Sequence, residues 1–347
     1  MTTALGSLAR IAIGKETDWG TAVAITDLVP ALSESMEANF ARNLRETLVG
    51  DGGRRKGTRT GRSIMGNLTV DGVYDLIAGD FYGIETLILT ALGTATRDAV
   101  NDSTQFTIAS QIDEHLTLCI NDQVSLREYV SAMVQGWSFT LSENSNGQFS
   151  FDLISKEEYK TGDGSITNAI ADLTALSPTN MVIVPLRFDD ATFRIADVSD
   201  ALTSGDAVGI SSITISFTRN LTAPQFTSAS SSRTIRPRED GFREVSLTFD
   251  VPRYENTNFL SWRDNGTELQ ADLKFASGTY QFNFHMPCVE IETLGKPLSG
   301  PGLYTQTINC ICSKRTTSNT FMKFIDASTT VDAEIGIECK SARTAVP

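Results

Sequence analysis

Histidine is almost absent from this chain, with two residues among 347. A multi-histidine metal centre or a histidine-driven proton relay therefore has little material. Cysteine is sparse and odd in number: Cys119, Cys288, Cys310, Cys312 and Cys339. Five thiols scattered over a long chain argue for reduced cysteines and cytosolic folding, not a secreted disulfide framework. Positive charge is in deficit. Lys and Arg number 29 against 42 Asp and Glu, giving a net charge of −13. That argues against non-specific duplex binding, whose affinity comes from Lys and Arg neutralising phosphates. Long apolar runs are missing too. The most apolar stretch, residues 73–92, contains Asp75, Asp80 and Glu85, which are costly at a bilayer centre. The first residues lack the basic, apolar and small-residue order of a signal peptide. A soluble chain is expected, with no membrane partner.

Catalytic motifs are also lacking. GxSxG, HExxH and CxxC do not occur, and GDGGRRKG lacks the spacing of a phosphate-cradling loop. His285, Cys288, Cys310 and Cys312 form an HxxC…CxC set, but Cys310 and Cys312 fall on one face of an expected strand. They read as small buried hydrophobes, not zinc ligands. His115 and Cys119 are four apart on another expected strand and need not meet. Asp189-Asp190 and Thr161-Gly-Asp163-Gly read as turns instead of calcium loops. Glu157, Glu158 and Tyr159 read as a solvated strand end. No enzyme activity, cofactor or metal is expected.

What is present is strand chemistry. With hydrophobic residues at 40%, the chain can bury a sizeable core. Residues 137–154 alternate on both sides of Asn146-Gly147, a hairpin cue. Trp137, Phe139 and Leu141 share one face; Ser138, Thr140 and Ser142 share the other. The same period-two pattern places Ile213, Ile215 and Phe217 together, likewise Val245, Leu247 and Phe249, and Ile308, Cys310 and Cys312. Residues 73–92 show helical spacing through Val73, Ile77, Phe81, Ile84, Ile88 and Leu92, with Gly93 as a C-cap and a break expected near Asp80. A shorter helical connector is expected at 255–266, and a strand in MKFIDAS (322–328). The class is mainly β.

Features also recur in order. Phe40-Ala-Arg-Asn-Leu44 matches Phe217-Thr-Arg-Asn-Leu221 at an offset of 177, and Leu68-Thr-Val-Asp71 matches Leu247-Thr-Phe-Asp250 at 179. The closing strands match in character at about 158. The reading is two tandem domains, 1–165 and 166–347, the second with a C-terminal extension. After each first match comes a long loop with basic residues: Arg45, Arg54, Arg55, Lys56, Arg59 and Arg62 in one, Arg233, Arg236, Arg238 and Arg243 in the other. Residues 45–62 carry six basic and two acidic groups, so a sum of +4 sits on a remainder of −17. A basic loop on an acidic body suits head-to-tail association with copies of itself.

Three segments in this order, LARIAIGKETDWGTAVAIT, RETLVGDGGRRKGTRTGR and GNLTVDGVYDLIAGDFYGIETLILTALG, resemble the major tail tube proteins of long-tailed bacteriophages. The resemblance implies a β-sandwich or barrel with a flanking helix, whose strands join those of neighbours into a continuous barrel. It implies rings of six such folds stacked into a hollow tube, with the long inter-strand loops reaching the adjacent ring. It also implies a structural virion protein, made and assembled in the host cytoplasm. Such a tube houses a tape-measure protein, conducts DNA without binding it specifically, and meets tail terminator and distal tail proteins. Two folds per chain would make each ring a pseudo-hexameric trimer; a conventional hexamer is the alternative. The acidic balance predicts an acidic bore. A β-rich tail accessory or carbohydrate-binding module, which would expose aromatic platforms, and a capsid-type shell protein are the competing readings.

Overall fold

The computed structural model describes residues 9–43, 58–176, 182–222, 235–252, 258–277, 280–295, 305–315, 322–326 and 329–347. The first half contains β1 (Arg10–Lys15), β2 (Asp27–Val29), β3 (Ala31–Glu34), β4 (Glu37–Asn43), β5 (Thr58–Asp71) and β6 (Val73–Asp75). Helix α1 (Ile84–Leu92) follows, then β7 (Gly93–Asp98), β8 (Ser103–Ile108), β9 (Leu116–Asn121), β10 (Leu126–Ser142), β11 (Gln148–Ser155) and β12 (Glu157–Lys160). A connecting stretch carries α2 (Ile170–Ala175) and β13 (Ile183–Pro185). The second half begins with β14 (Ala191–Asp197), β15 (Ser212–Thr218), β16 (Leu221–Thr222), β17 (Arg238–Glu239) and β18 (Glu244–Val251). It continues with α3 (Asn258–Asn265), β19 (Leu269–Ser277), β20 (Tyr280–Gly295), β21 (Gln306–Cys312) and β22 (Gly336–Lys340). The chain is mainly β, as its alternating pattern requires.

Antiparallel ladders assemble these strands in an order that recurs. In the first half the ladders run β4-β5-β11-β10, and β1-β9-β10 with β12 on the other edge of β10. In the second they run β15-β18-β21-β20, and β14-β19-β20 with β22 on the other edge of β20. A ladder between β10 and β15, from Gly136↔Thr218 to Ser142↔Ser212, fuses the two into one eight-stranded sheet. Strand β22 also pairs with β8 of the first half. The strands curl around a common core in barrel fashion. Among the described residues, however, no ladder joins β4 to β20, so this eight-stranded sheet has two ends.

Superposing the bulges of β10 (Val134/Gly136) and β20 (Ile291/Thr293) aligns the two halves two residues away from the sequence matches. Phe151 pairs with Leu68 as Ile308 pairs with Phe249, which sets Leu68 level with Phe249, two residues beyond the sequence match at Leu247. Likewise Ile64 pairs with Ala38 and Val245 with Phe217, so Ala38, not Phe40, is level with Phe217. A slip of two keeps every side chain on its own face, which is why the pattern alone could not detect it.

Alternation places the apolar set inside. Trp137, Phe139 and Leu141 are buried, as are Ile213, Ile215 and Phe217, Val245, Leu247 and Phe249, and Ile308, Cys310 and Cys312. Aromatics from both halves interlock there: Phe139 lies 4.8 Å from Phe284 and Phe149 5.7 Å from Phe282 between ring centroids. All five cysteines are free and buried, and burial pushes their thiol pKa values up.

Three local expectations need correction. The helix does not begin at Val73: residues 73–75 pair with β13 as strand β6, and the Asp75 carboxylate accepts hydrogen bonds from the Ile77 amide and the Tyr82 hydroxyl. That local capping diverts the chain into a turn, with Gly79 at φ 73° and Tyr82 at φ 52°. Helix α1 covers 84–92 only, ends at left-handed Gly93, and is buried on every side instead of one. The segment MKFIDAS forms no strand among the described residues; Met322 and Phe324 pack with Val331 against Leu202, and the strand lies at 336–340. Glu157 is buried in β12, which pairs with β10, so it is no solvated end. The connector helix falls within its expected span, at 258–265.

Candidate functional site

The eight-stranded sheet has one apolar face, turned into the core, and one polar face. Reading across it from Ser63–Asp71 of β5 through β11, β10, β15, β18 and β21 to β20, the outward positions hold mostly Ser, Thr, Asn and Gln. Asp71, Asp152, Glu244, Asp250 and Glu290 lie among them, with Glu37 on β4. Lysine and arginine are absent from these outward positions. Two apolar side chains, Met65 and Ile311, interrupt the face.

Its polar groups satisfy one another across strands. The Asn67 Nδ2 donates to Ser150 Oγ at 2.7 Å and Asp152 Oδ1 at 2.9 Å. Ser212 Oγ and Thr307 Oγ1 both donate to the Asp250 carboxylate, at 2.7 and 2.6 Å. Ser216 and Ser246 share a hydrogen bond of 2.6 Å, and Asn309 Nδ2 reaches Thr293 Oγ1 at 2.7 Å. Cross-strand hydroxyl and amide pairs of this kind stabilise the sheet. A surface with several of its donors engaged across strands and with negative charges has little to offer a phosphate backbone.

The basic residues lie elsewhere. Arg45, Arg54, Arg55, Lys56 and Arg233 lie outside the described residues, and Arg59 is described only by its backbone pairing with Arg42. Arg62 donates from Nη2 to the Glu158 carbonyl and carboxylate, at 3.3 and 3.4 Å, with its guanidinium 5.5 Å from the centre of the Phe40 ring. Arg238 sits in β17 opposite Thr222. Arg236 and Arg243 reach back to the first half. Arg236 donates to the Asp113 carbonyl, and Arg243 to the carbonyls of Ala109 and Ser110. Buried Arg219 joins them, donating to the Ile112 carbonyl at 2.9 Å and pairing with Glu239. Together these three guanidinium groups hold the turn between β8 and β9. Arg219 stands in the FTRN segment, and only its long range contact reveals its role.

The discounted chemical sets stay apart. His285 faces Glu338 at 3.6 Å and Phe324 edge-on, while Cys288 bonds with Ser313. His115 faces Glu16, whereas the Cys119 thiol donates to Glu128. Among the described residues no group of three or more His, Cys, Asp or Glu is placed to hold a metal. Nor do the tryptophans make a platform: Trp137 is buried, and Trp19 and Trp262 pack against apolar clusters. No helix among the described residues is long and apolar enough to cross a membrane.

The chain thus presents a single extended sheet that ends in β4 and in the 290–295 part of β20, with no further ladder on those outer edges among the described residues, one acidic face and a core shared by both halves. Residues 6–312 match the family described as phage tail tube protein, and the chain belongs to that family. No curated protein matches it by sequence. Membership makes it a structural protein of the bacteriophage tail, assembling with copies of itself and with other tail components.

Proposed function

We propose that the chain forms the stacked rings of a hollow tail tube, and that the acidic face lines its bore. The observation carrying this reading is the absence of Lys and Arg, among the described side chains, from the outward positions between Ser63–Asp71 of β5 and β20. Passing DNA meets carboxylates and internally occupied hydroxyls, so it is repelled and stays mobile instead of binding by counterion release. Before ejection the same bore holds the tape-measure protein, and the ends of the tube meet tail terminator and distal tail proteins. Synthesis and assembly take place in the host cytoplasm.

We also propose that the chain is a duplicated tail tube fold, and that three chains close one ring. The recurrent ladder order supports this, since each half supplies a four-stranded sheet in the same sequence of pairings. Eight strands per chain give 24 in a trimer, with a backbone diameter of roughly 40–50 Å from strand spacing and tilt. Six chains would about double that width. Arg45, Arg54, Arg55, Lys56, Arg59 and Arg233 are the basic residues we assign to contacts with the neighbouring ring, whereas Arg62 is engaged by Glu158 of its own chain. Imaging purified tubes in cross-section tests the proposal: three chains per ring with Asp152, Asp250 and Glu290 facing the bore are expected. A basic lumen, or six chains around a one-fold barrel, overturns it.

A further inference from the structure

The two ends of the eight-stranded sheet are made for each other, and the chain contains its own template for how they meet. We infer that β20 of one copy pairs antiparallel with β4 of the next, with Thr293 opposite Asn39 of the partner subunit and Gly295 opposite Glu37 of the partner subunit. This deepens the reading as a self-assembling tube and rests on it.

The register follows from equivalences within one chain. Strand β10 carries a bulge between Val134 and Gly136 where it pairs with β11, and β20 carries one between Ile291 and Thr293 where it pairs with β21. Aligning the bulges sets Gly136 level with Thr293, Trp137 with Leu294 and Ser138 with Gly295. On the other side, Thr218 pairs with Glu244 as Asn39 pairs with Ser63, and the ladders already set Ala38 level with Phe217. The internal junction joins Gly136 to Thr218, Trp137 to Phe217 and Ser138 to Ser216. Copied to the ends, it joins Thr293 to Asn39, Leu294 to Ala38 and Gly295 to Glu37.

Burial points the same way. At the internal junction Trp137 and Phe217 are 2% and 1% exposed. Their counterparts Leu294 and Ala38 touch the core yet are only half-buried. The missing cover is a neighbouring strand on each, and pairing the two ends supplies it while removing both open edges. The apolar pair sealed between copies is smaller than the Trp–Phe pair sealed within the chain. Glu37, Glu290 and Glu292 add charge near the ends. An edge of this kind resists indiscriminate pairing before a ring forms.

A disulfide test reads the register directly. Paired antiparallel positions have Cβ atoms about 4.5–5.5 Å apart, near enough for a disulfide after small adjustment. The five native cysteines are buried, so background oxidation is low. In tubes first verified by electron microscopy, Asn39→Cys/Thr293→Cys should oxidise to covalent dimers and a closed trimer, reversed by reductant. Glu37→Cys/Thr293→Cys, shifted by two residues, should stay monomeric. Intact tubes that cross-link only in the shifted pair overturn this register while leaving the tube reading in place. A wild-type chain that never makes rings or tubes overturns both. Should the variants fail to assemble, hydrogen exchange on the wild type decides: amides of 37–39 and 293–295 should slow at least about tenfold between monomer and tube, and unchanged rates overturn the pairing.

Discussion

Two buried carboxylates show how single residues set this fold. Glu16 follows β1 and accepts hydrogen bonds from Thr117 Oγ1, Ser131 N and Ser131 Oγ, at 2.6, 2.8 and 2.6 Å. Ser131 sits at φ 52° where the β9–β10 ladder breaks register, and its hydroxyl also accepts from the Gly20 amide. The opening Glu-Thr…Trp-Gly motif therefore pins an irregularity in the longest strand. Glu16→Ala leaves buried donors unmatched and should cost about 1–3 kcal/mol in chemical denaturation; stability equal to the wild type would contradict this role. Glu85 behaves oppositely. Burial pushes its carboxyl from 4.5 up to about 7, although nearby Arg343 pulls the other way. The folded state thus holds a proton that the unfolded chain releases, so this contribution is full below about pH 4.5 and lost as pH rises to about 7. Glu85→Gln should raise the melting temperature at pH 8, by the equivalent of about 1–3 kcal/mol, and leave it nearly unchanged at pH 4. A shift of equal size at both values would rule out titration of Glu85 as the cause.

At the scale of elements, the strands of the sheet were legible because a half-buried strand writes its burial into the sequence with period two. The residue pairs 137/139, 213/215, 245/247 and 308/310 needed nothing else. The stretch from 73 to 83 was not legible. Its apolar residues satisfy helical spacing, but Asp75 bonds to Ile77 and Tyr82, and those local bonds outweigh the periodicity. Segment 322–328 failed for a related reason, since its apolar side chains fill a satellite cluster without needing a ladder. The basic loop of the second half was visible as composition, but composition cannot show direction. Arg219, Arg236 and Arg243 grip backbone carbonyls of residues 109–113, more than a hundred residues upstream. Arg219→Ala should accelerate amide exchange in 109–115 selectively, because it also strips a buried partner from Ile112 and Val134. Unaltered exchange there, or uniform acceleration across the sheet, would remove Arg219 from this role.

For the whole molecule, the acidic face, the two sheet ends and the basic loops divide the work of assembly. In the proposed assembly the ends join copies around a ring through backbone ladders, which salt hardly screens. The same proposal has the basic loops join one ring to the next through charges, which salt screens over about 10 Å at 0.1 M. The two contacts should therefore separate by ionic strength. Arg54, Arg55 and Arg59 are the residues to change. Arg62 should be kept, because it is bound within its own chain to Glu158. Replacing the three by Ser should leave the melting temperature of the monomer within about 1–2 °C if their contacts lie between rings and not within the fold. Tubes of the variant should shorten, then fall apart into intact rings at a salt concentration where wild-type tubes persist. Sedimentation and electron microscopy across a salt series distinguish the outcomes. Variant tubes as long and as salt-resistant as the wild type would mean that ring stacking does not depend on these arginines, and loss of the rings themselves would place the arginines at the ring-closing edge instead.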